Sequence, residues 1–274
     1  MPITEITFAG GLPGFVAEAE RPQAALLIVH GLAEYALRYA SLAEELTGRG
    51  ITCFAFDQRG HGDAVGPRTH ISSFQNYIED LLRIVVQQRE RDPQLPLYLW
   101  GHSMGAMVVA AAAAASPRHV RGVILSSNSL EVFRRGPNPL HPVLRALARV
   151  VPRVRIPLGL AGEKISSDVT VQRAYVSDPR IPHTASLRLL VEFAAACEGI
   201  RTSAADIRVP CLVLHGELDA IAPVAGAQLL FAALGSADKK LVIFPGQRHE
   251  VHNESAPVRG QFIATLSEWM LART

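Results

Sequence analysis

Short runs of consecutive apolar residues alternate with longer segments of helical periodicity through the first part of the chain. The runs are ALLIVHG, ITCFAFD and LYLWGHS, and the segments between them are RYASLAEELTGRG and SSFQNYIEDLLRIVVQQRE. Strands that alternate with helices pair in parallel, and apolar residues at consecutive positions indicate helices on both faces of the sheet. The pattern therefore predicts an α/β fold with a mostly parallel sheet.

Five further segments bring the predicted sheet to eight strands. VRGVILSS, PCLVLHG and KLVIFPG continue the buried series, and ITEITFA and FVAEAE flank GGLPG in a predicted amino-terminal hairpin. The strand signal disappears between about Asn128 and Ala204, where the segment is rich in Pro, Arg and helical apolar patterns. We predict that residues 1–127 and 205–274 form two parts of one core and that residues 128–204 form an inserted cap.

The composition indicates a soluble cytoplasmic protein. The 274 residues suffice for one enzyme-sized core, and 27 basic against 25 acidic residues, without a long run of like charge, give no indication of a nucleic-acid partner. Three dispersed cysteines favour reduced thiols over a disulfide framework or a zinc ribbon. MPITEITFAGG lacks the features of a signal peptide, and the most apolar predicted helix, Met104–Ala115, is too short to span a bilayer.

GHSMG, Gly101 to Gly105, stands where a buried strand ends and an alanine-rich helix begins. It fits G-x-S-x-G, which occurs by chance in about one chain in ten of this length. The setting is more specific, because a nucleophile elbow requires a strand, a tight turn and a helix, with glycines that leave room for the turn. Ser103 is therefore the predicted nucleophile. The alternative is a serine that only caps the following helix.

A serine nucleophile requires a histidine base and a carboxylate that orients it. In this kind of fold the acid and then the base follow the serine along the chain, which leaves His249 and His252 as candidate bases. We expect His249 to be the base and His252 to be a loop or cap residue. Asp219, just after the strand CLVLHG, is the predicted acid, and Glu217 is the weaker alternative.

Other acidic residues and histidines fit these roles less well. Asp206 precedes its strand, and Asp238 stands before the next strand, so both belong to the wrong end of the sheet. The remaining histidines precede either the serine or the acid: His30, His61, His70, His102, His119, His141, His183 and His215. For the oxyanion, the backbone N–H groups of Met104 and of Leu32, in the loop after ALLIVHG, are the predicted donors.

Five segments resemble the monoacylglycerol lipase and lysophospholipase group of the α/β-hydrolases, and together they extend over nearly the whole chain. In order they are HGLAEYALRY, FDQRGHGDAVGPRTHISSFQNYIEDL, GHSMG, VSDPRIPH and FPGQRHEVHNE. The resemblance implies an α/β-hydrolase fold with a helical cap. It also implies catalytic roles for Ser103, Asp219 and His249, and oxyanion roles for Leu32 and Met104.

The oxyanion segment departs from the resembled group at two positions. Ala33 stands where the group has glycine, and Tyr35 where it has histidine. These changes leave the backbone donor in place but would alter the polar pocket for a glycerol-like leaving group. Glu34 and Arg38 match the group, which makes Glu34 a candidate substrate-binding residue, with a structural ion pair to Arg38 as the alternative. Arg59 and His61 are expected to fix their loop.

The predicted cap is basic and partly amphipathic. No acidic residue occurs from Arg134 to Gly162, a stretch that contains Arg134, Arg135, Arg145, Arg149, Arg153 and Arg155. Among them, Leu140, Val143, Leu144, Leu147, Ala148, Val150 and Val151 follow near-helical spacing. Such a helix could contact a lipid interface with its arginines at headgroup level. The alternative is a solvated face packed on the core.

Together these features predict a serine hydrolase that cleaves carboxylic esters of single-chain lipids, monoacylglycerol or lysophospholipid, through an acyl-enzyme on Ser103. No metal-ligand spacing and no glycine-rich phosphate loop occurs, so we expect no cofactor and no metal ion. One alternative is a carboxylesterase, lactonase or peroxidase-like enzyme with the same triad and small soluble substrates. A non-catalytic ligand-binding module is the other, since a fold alone does not fix function.

Overall fold

The computed structural model describes residues 3–115, 119–134 and 138–274, without the side chain of Arg134. Eight strands form one sheet in the order β1-β2-β4-β3-β5-β6-β9-β10, and two short strands form a second sheet. The strands are β1 Thr4–Phe8, β2 Leu12–Ala17, β3 Ala24–Val29, β4 Ile51–Phe56, β5 Leu97–His102, β6 Gly122–Ser126, β7 Arg155–Pro157, β8 Thr184–Ser186, β9 Cys211–Gly216 and β10 Lys239–Phe244. From β4 to β10 every neighbouring pair of the main sheet is parallel, which confirms the predicted architecture.

Nine α-helices are present in the described residues, and they cover both faces of the sheet. They are α1 Ala40–Thr47, α2 Gln75–Arg91, α3 Met104–Ala114, α4 Pro142–Val150, α5 Gly162–Ile165, α6 Val169–Ser177, α7 Leu187–Ser203, α8 Ala225–Ala233 and α9 Ala256–Leu271. Side chains of α2, α3 and α7 share one buried cluster with one face of the strands, and side chains of α1 and α9 share another with the opposite face. Two covered faces explain why the strands are apolar at consecutive positions.

The amino-terminal hairpin forms as predicted, but its turn is shorter than GGLPG. Strand β2 begins at Leu12, and the turn is made by Gly10 and Gly11, whose φ angles are +82° and +74°. Gly14 lies within the strand because a Cβ there would stand 2.1 Å from the carbonyl oxygen of Ala55. That glycine serves close strand packing instead of a turn.

The predicted cap contains strands that the sequence did not indicate. β7 and β8 pair antiparallel between residues 155–157 and 184–186, so the expectation of a segment without strands is wrong. These strands have three residues each, and β7 is largely exposed, so neither produces an apolar run. The cap also shares the core: Leu189 and Phe193 of α7 belong to the same buried cluster as α3.

Cys53, Cys197 and Cys211 are buried and free. Among the described residues, no helix has both the length and the apolar character needed to cross a membrane. Arg135 of the predicted basic stretch lies outside the described residues.

Candidate active site

Ser103 lies at a strained turn between β5 and α3. Its φ and ψ angles are 54° and −118°, a conformation that a residue with a Cβ rarely adopts, and its N–H donates to the carbonyl oxygen of Ser126 over 3.0 Å. A Cβ at Gly101 would stand 2.3 Å from the carbonyl oxygen of Gly105, and one at Gly105 would stand 2.1 Å from that of Val29. The two glycines of GHSMG therefore allow the close packing that holds the serine hydroxyl beyond the carboxyl end of the sheet.

A continuous chain of hydrogen bonds joins the three predicted catalytic side chains. His249 Nε2 lies 3.0 Å from Ser103 Oγ, and His249 Nδ1 lies 2.7 Å from Asp219 Oδ2. A carboxylate only accepts hydrogen bonds, so Nδ1 carries the proton and Nε2 is free to accept the serine proton. All three residues are buried. The structure thus brings together, from three separate loops, the residues that chain order predicted.

Asp219 is held ionised by its surroundings. Its Oδ1 accepts hydrogen bonds from the N–H groups of Ile221 and Ala222, and Oδ2 lies 3.3 Å from His215 Nε2. Burial by itself would raise the pKa of this carboxyl, but the electrostatic attraction of His249 and the hydrogen bonds from His215 and His249 hold it well below its usual value. Asp219 therefore remains an anion that orients His249.

The same contact sets the basicity of His249. Burial would lower the pKa of this imidazole, but the charge and hydrogen bond of Asp219 raise it above the usual 6.5. Within the described residues, neither His102, whose Nε2 lies 3.7 Å from a Glu34 carboxylate oxygen, nor His252 has a carboxylate at hydrogen-bond distance, and burial lowers the pKa of His252 to about 3 and that of His102 far below its usual value. The His102 ring packs tilted against His249 and edge-to-face against His252, and of these three imidazoles His249 is the one whose pKa is raised, which suits a general base.

The two predicted oxyanion donors lie beside the serine. Met104 is the first residue of α3, where a backbone N–H has no acceptor inside the helix. Leu32 lines the cavity that contains Ser103, and a Cβ at the preceding Gly31 would stand only 3.1 Å from the Ser103 Cβ. The loop after β3 therefore passes directly over the nucleophile.

Glu34 belongs to a buried ionic cluster next to the serine. Arg38 donates two hydrogen bonds of 2.7 Å to Glu250 and lies 3.1 Å from Glu34, which also accepts from Tyr39 over 2.9 Å. Burial raises the pKa of Glu34 to about 7, whereas the attraction and hydrogen bonds of Arg38 overcome burial and lower that of Glu250 to about 2. Glu34 thus has the structural pairing considered above and also lines the cavity.

The ligand atoms of Glu34, His102 and Glu250 lie within 4.8 Å of one another, a spacing that a cation could use. Arg38 already bonds both carboxylates and supplies the positive charge at this point. We therefore assign no metal ion to the cluster.

A cavity of about 510 Å³ is lined by Ser103 and by residues of the predicted cap. Its polar side chains among the described residues are Glu34, Ser103, Ser129, His249 and Glu250. The rest of the lining is largely apolar and comes mainly from residues 128–204: Leu32, Val132, Phe133, Pro139, Leu144, Ile156, Pro157, Leu158, Leu160, Ile165, Tyr175, Leu187, Leu190, Phe193 and Ile221. This shape and polarity suit a ligand with one long apolar part and a small polar end.

The other candidate residues lie away from the reacting atoms. Glu217 accepts from the N–H of Gly246, Asp238 pairs with Arg273, and Asp206 ends an exposed turn. His252 lies in the predicted loop but is buried against the rings of Tyr39 and Trp100.

Arg59 forms two hydrogen bonds with Asp80, and His61 Nδ1 lies 3.2 Å from the Arg59 carbonyl oxygen. These contacts fix the DQRGHG loop as expected.

Sequence reasoning missed four residues at the site. Ser129 Oγ lies 3.4 Å from Ser103 Oγ, Ser127 donates to the carbonyl oxygen of His249 over 2.6 Å, His215 contacts Asp219, and Glu250 binds Arg38. The polar run SSNS at the end of β6 was the available signal for the two serines, because that strand lies beside β5. His215 is the last residue but one of β9, four residues before the acid.

Comparison with known proteins agrees with this geometry. The family model described as "Serine aminopeptidase, S33" matches residues 20–256. The monoacylglycerol lipase of Mycolicibacterium smegmatis is 33% identical over 258 residues, which cover 92% of this chain and 89% of that enzyme. The human monoglyceride lipase is 31% identical over 256 residues, which cover 92% of this chain and 84% of that enzyme.

The crystal structure of the monoacylglycerol lipase of Paleococcus ferrophilus has the same fold, with a TM-score of 0.83 and 29% sequence identity. The match covers 95% of this chain and 99% of that one. The serine elbow, the triad geometry, the family model and these relatives agree: the chain belongs to the α/β-hydrolase family, in its monoacylglycerol lipase group.

Proposed function

We propose that this protein hydrolyses the ester bond of a monoacylglycerol or a similar single-chain lipid. The observation that carries the proposal is the hydrogen-bonded chain from Asp219 through His249 to Ser103, which opens into an apolar cavity of about 510 Å³. An acyl chain fits the apolar lining, and the few polar groups lie at the end where the ester must react. Residues 128–204 act as the cap that covers this cavity.

The reaction begins when Ser103 Oγ attacks the ester carbonyl carbon and its proton passes to His249 Nε2. The N–H groups of Leu32 and Met104 stabilise the negative charge that forms on the carbonyl oxygen. His249 then gives its proton to the leaving alcohol, and the acyl group stays on Ser103. A water molecule, deprotonated by His249, attacks the acyl-enzyme, and the fatty acid leaves as Ser103 recovers its proton. Asp219 stabilises the imidazolium in both halves.

Glu34 binds the polar end of the substrate in this proposal. Its carboxyl group lines the cavity near Ser103, and a pKa of about 7 lets it accept or donate a hydrogen bond near neutral pH. Hydroxyl groups of a leaving alcohol would match this behaviour. Its bonds to Arg38 and Tyr39 hold the carboxyl group in place.

The cap contacts the lipid surface from which the substrate comes. On α4 and the residues after it, Val143, Leu147, Val150 and Val151 are between 41% and 79% exposed, although they are apolar. Leu144 on the same helix lines the cavity, so the exposed apolar residues border the part of the helix that faces the cavity. Arg145, Arg149 and Arg153 are exposed beside these residues and would lie at the level of anionic headgroups.

Turnover of a panel of esters tests the proposal. We expect monoacylglycerols to be hydrolysed with higher kcat/KM than short p-nitrophenyl esters, and Ser103→Ala to abolish both turnover and labelling by a fluorophosphonate. Ser72→Ala, at an exposed serine far from the triad in sequence, serves as the matched control and should keep both. Hydrolysis of short esters alone would favour the carboxylesterase alternative, and turnover by Ser103→Ala would exclude the mechanism.

A further inference from the structure

The loop that carries Leu32 contains a strained residue. Ala33 has a φ angle of 60°, in the left-handed region that disfavours any residue with a Cβ, and its side chain is fully buried. Such a conformation persists only when the surrounding structure holds it. Because Ala33 directly follows Leu32, relaxation of Ala33 would turn the Leu32 N–H away from the carbonyl oxygen of the substrate.

Tyr35 ties this loop to the cap. Its hydroxyl donates a hydrogen bond to Asp178 Oδ2 and accepts one from Arg180 Nη2 over 2.5 Å. The Arg180 guanidinium lies 4.1 Å from the centre of the Tyr35 ring, and Arg180 pairs with Asp178 over 3.1 Å. Asp178 and Arg180 directly follow α6. The tyrosine is thus held at its ring and at its hydroxyl by two charged residues of the cap.

The same part of the cap covers Ala33. A small apolar cluster, separate from the two main cores, contains Ala33 and Tyr35 from the loop and Ile165, Tyr175 and Ile181 from the cap. Directly after the strained residue, Glu34 is held within the core by Arg38 and Tyr39. Ala33 is therefore followed by two attachments, Glu34 to the core and Tyr35 to the cap, and the Tyr35 hydroxyl provides the polar part of the second one.

We propose that Tyr35 is a positioning residue for the oxyanion donor Leu32. Through Asp178 and Arg180 it fastens the loop to the cap and so keeps Ala33 in the left-handed conformation. The inference rests on the proposed function, since it concerns the oxyanion of the same reaction. It also gives one physical reason for the two departures in the HGLAEYALRY segment: an alanine in a position suited to glycine requires an additional restraint, and Tyr35 supplies it.

The link holds throughout the neutral pH range. Burial and the bond to Asp178 raise the pKa of Tyr35 to about 12, and the hydrogen bonds of Arg180 and Tyr35 outweigh burial to lower that of Asp178 to about 2. Neither group therefore changes its protonation near neutral pH.

Tyr35→Phe tests the proposal, because it removes the hydroxyl and keeps the ring. With a short p-nitrophenyl ester, we expect kcat to fall about tenfold while KM stays within about twofold, since the oxyanion forms only after binding. The affinity for a trifluoromethyl ketone, whose adduct with serine carries an oxyanion, should fall by about the same factor as kcat. Asp178→Ala removes the partner of the Tyr35 hydroxyl in the cap. It should cause the same fall in kcat and in ketone affinity, with KM little changed.

Arg155→Ala is the matched control. Arg155 also joins the cap to the core, through hydrogen bonds to Thr69 and to the carbonyl oxygen of Arg68, but it does not touch the oxyanion loop. We expect kcat and ketone affinity to stay within about twofold of the wild-type values in this variant. Thermal unfolding of each variant separates a loss of fold from a loss of positioning.

If strain at Ala33 causes the loss of activity in Tyr35→Phe, a glycine at position 33 should restore part of that activity. Ala33→Gly in the Tyr35→Phe background should recover at least half of the lost kcat on a logarithmic scale, because glycine adopts a positive φ without a restraint. Unchanged kcat in Tyr35→Phe, parallel losses in KM and kcat, or no recovery by Ala33→Gly would overturn the proposal. Turnover that survives Ser103→Ala would instead overturn the proposed function, so the two failures are distinguishable.

Discussion

Arginine occupies opposite environments in the segment after β3 and in the predicted cap. Arg38 is about nine-tenths buried, and Glu34 and Glu250 neutralise it. Arg145, Arg149 and Arg153 are exposed next to exposed valines and leucines. In the core, a charge is tolerated because fixed partners replace water, and the geometry of the site depends on it. In the predicted cap, the exposed charges keep their hydration, as the proposed contact with a lipid surface requires.

The comparison predicts that substitutions of buried residues around the triad lower activity or stability severely. The effect of substituting the exposed arginines should instead depend on the substrate. The largest effect is expected at the base. His249→Ala should lower kcat by at least about 10⁴-fold on every ester, because the serine proton then has no acceptor. Steady-state kinetics on a short ester and on a monoacylglycerol measures this effect.

His252→Phe is the matched control for the base, since it keeps a ring against Tyr39 and Trp100. Its kcat should stay within a few-fold of the wild-type value. A larger loss in His252→Phe than in His249→Ala would reverse the two assignments.

The second-largest effect is expected at Asp219, the acid that orients His249. Asp219→Asn should lower kcat by about 10³- to 10⁴-fold, because an amide favours the wrong imidazole tautomer. Glu217→Gln should change kcat little. The pH profile sharpens the assignment: His249 must be neutral to act as base, and its pKa is raised, so the acid limb of kcat/KM should lie above 6.5 in the wild-type enzyme. In Asp219→Asn that limb should move to lower pH, and a limb that does not move would contradict the contact.

Arg38→Met should destabilise the fold by about 3–5 kcal/mol, because it leaves two buried carboxyl groups without their cation. Arg149→Met, in the exposed set, should change the free energy of unfolding by no more than about 0.5 kcal/mol. Urea unfolding measures both.

The loss of folding stability caused by Arg38→Met should increase from pH 5 to pH 8. Without Arg38, the folded protein holds the pKa values of Glu34 and Glu250 above their unfolded values, so stability falls as pH rises. Equal losses of stability in Arg38→Met and Arg149→Met would show that burial does not determine how much each arginine contributes to the fold.

The smallest effect is expected in the cap. Replacing Arg145, Arg149 and Arg153 with glutamate should lower hydrolysis of aggregated long-chain monoacylglycerol several-fold and leave a short soluble ester unaffected. Wild-type protein should bind anionic vesicles, and added salt should weaken that binding by screening the charges. Equal losses on both substrates would indicate a structural role for these arginines. Unchanged activity without vesicle binding would contradict the interfacial proposal.

The order along the chain of the eight strands of the main sheet and the candidate triad residues Ser103, Asp219 and His249 followed from the sequence. Strands such as β3 and β5 are short apolar runs, and the elbow at Ser103 is read from five adjacent residues. These signals are local, because burial on both faces and a tight turn each restrict the residue types at successive positions. Chain order then identified Asp219 and His249 without any knowledge of distances.

Only the tertiary structure decided which residues surround the triad. His252 stands three residues after His249 and appears equivalent in sequence, yet its ring is buried among aromatic side chains with no carboxylate bonded to it. His215, Ser129 and the link from Tyr35 to Asp178 join residues that are distant in the chain or that carry no local pattern. Such contacts depend on how loops from separate strands and the cap meet at one edge of the sheet. A residue's own neighbours in sequence do not contain that information, because the pKa of a group and its partners are set by packing in three dimensions.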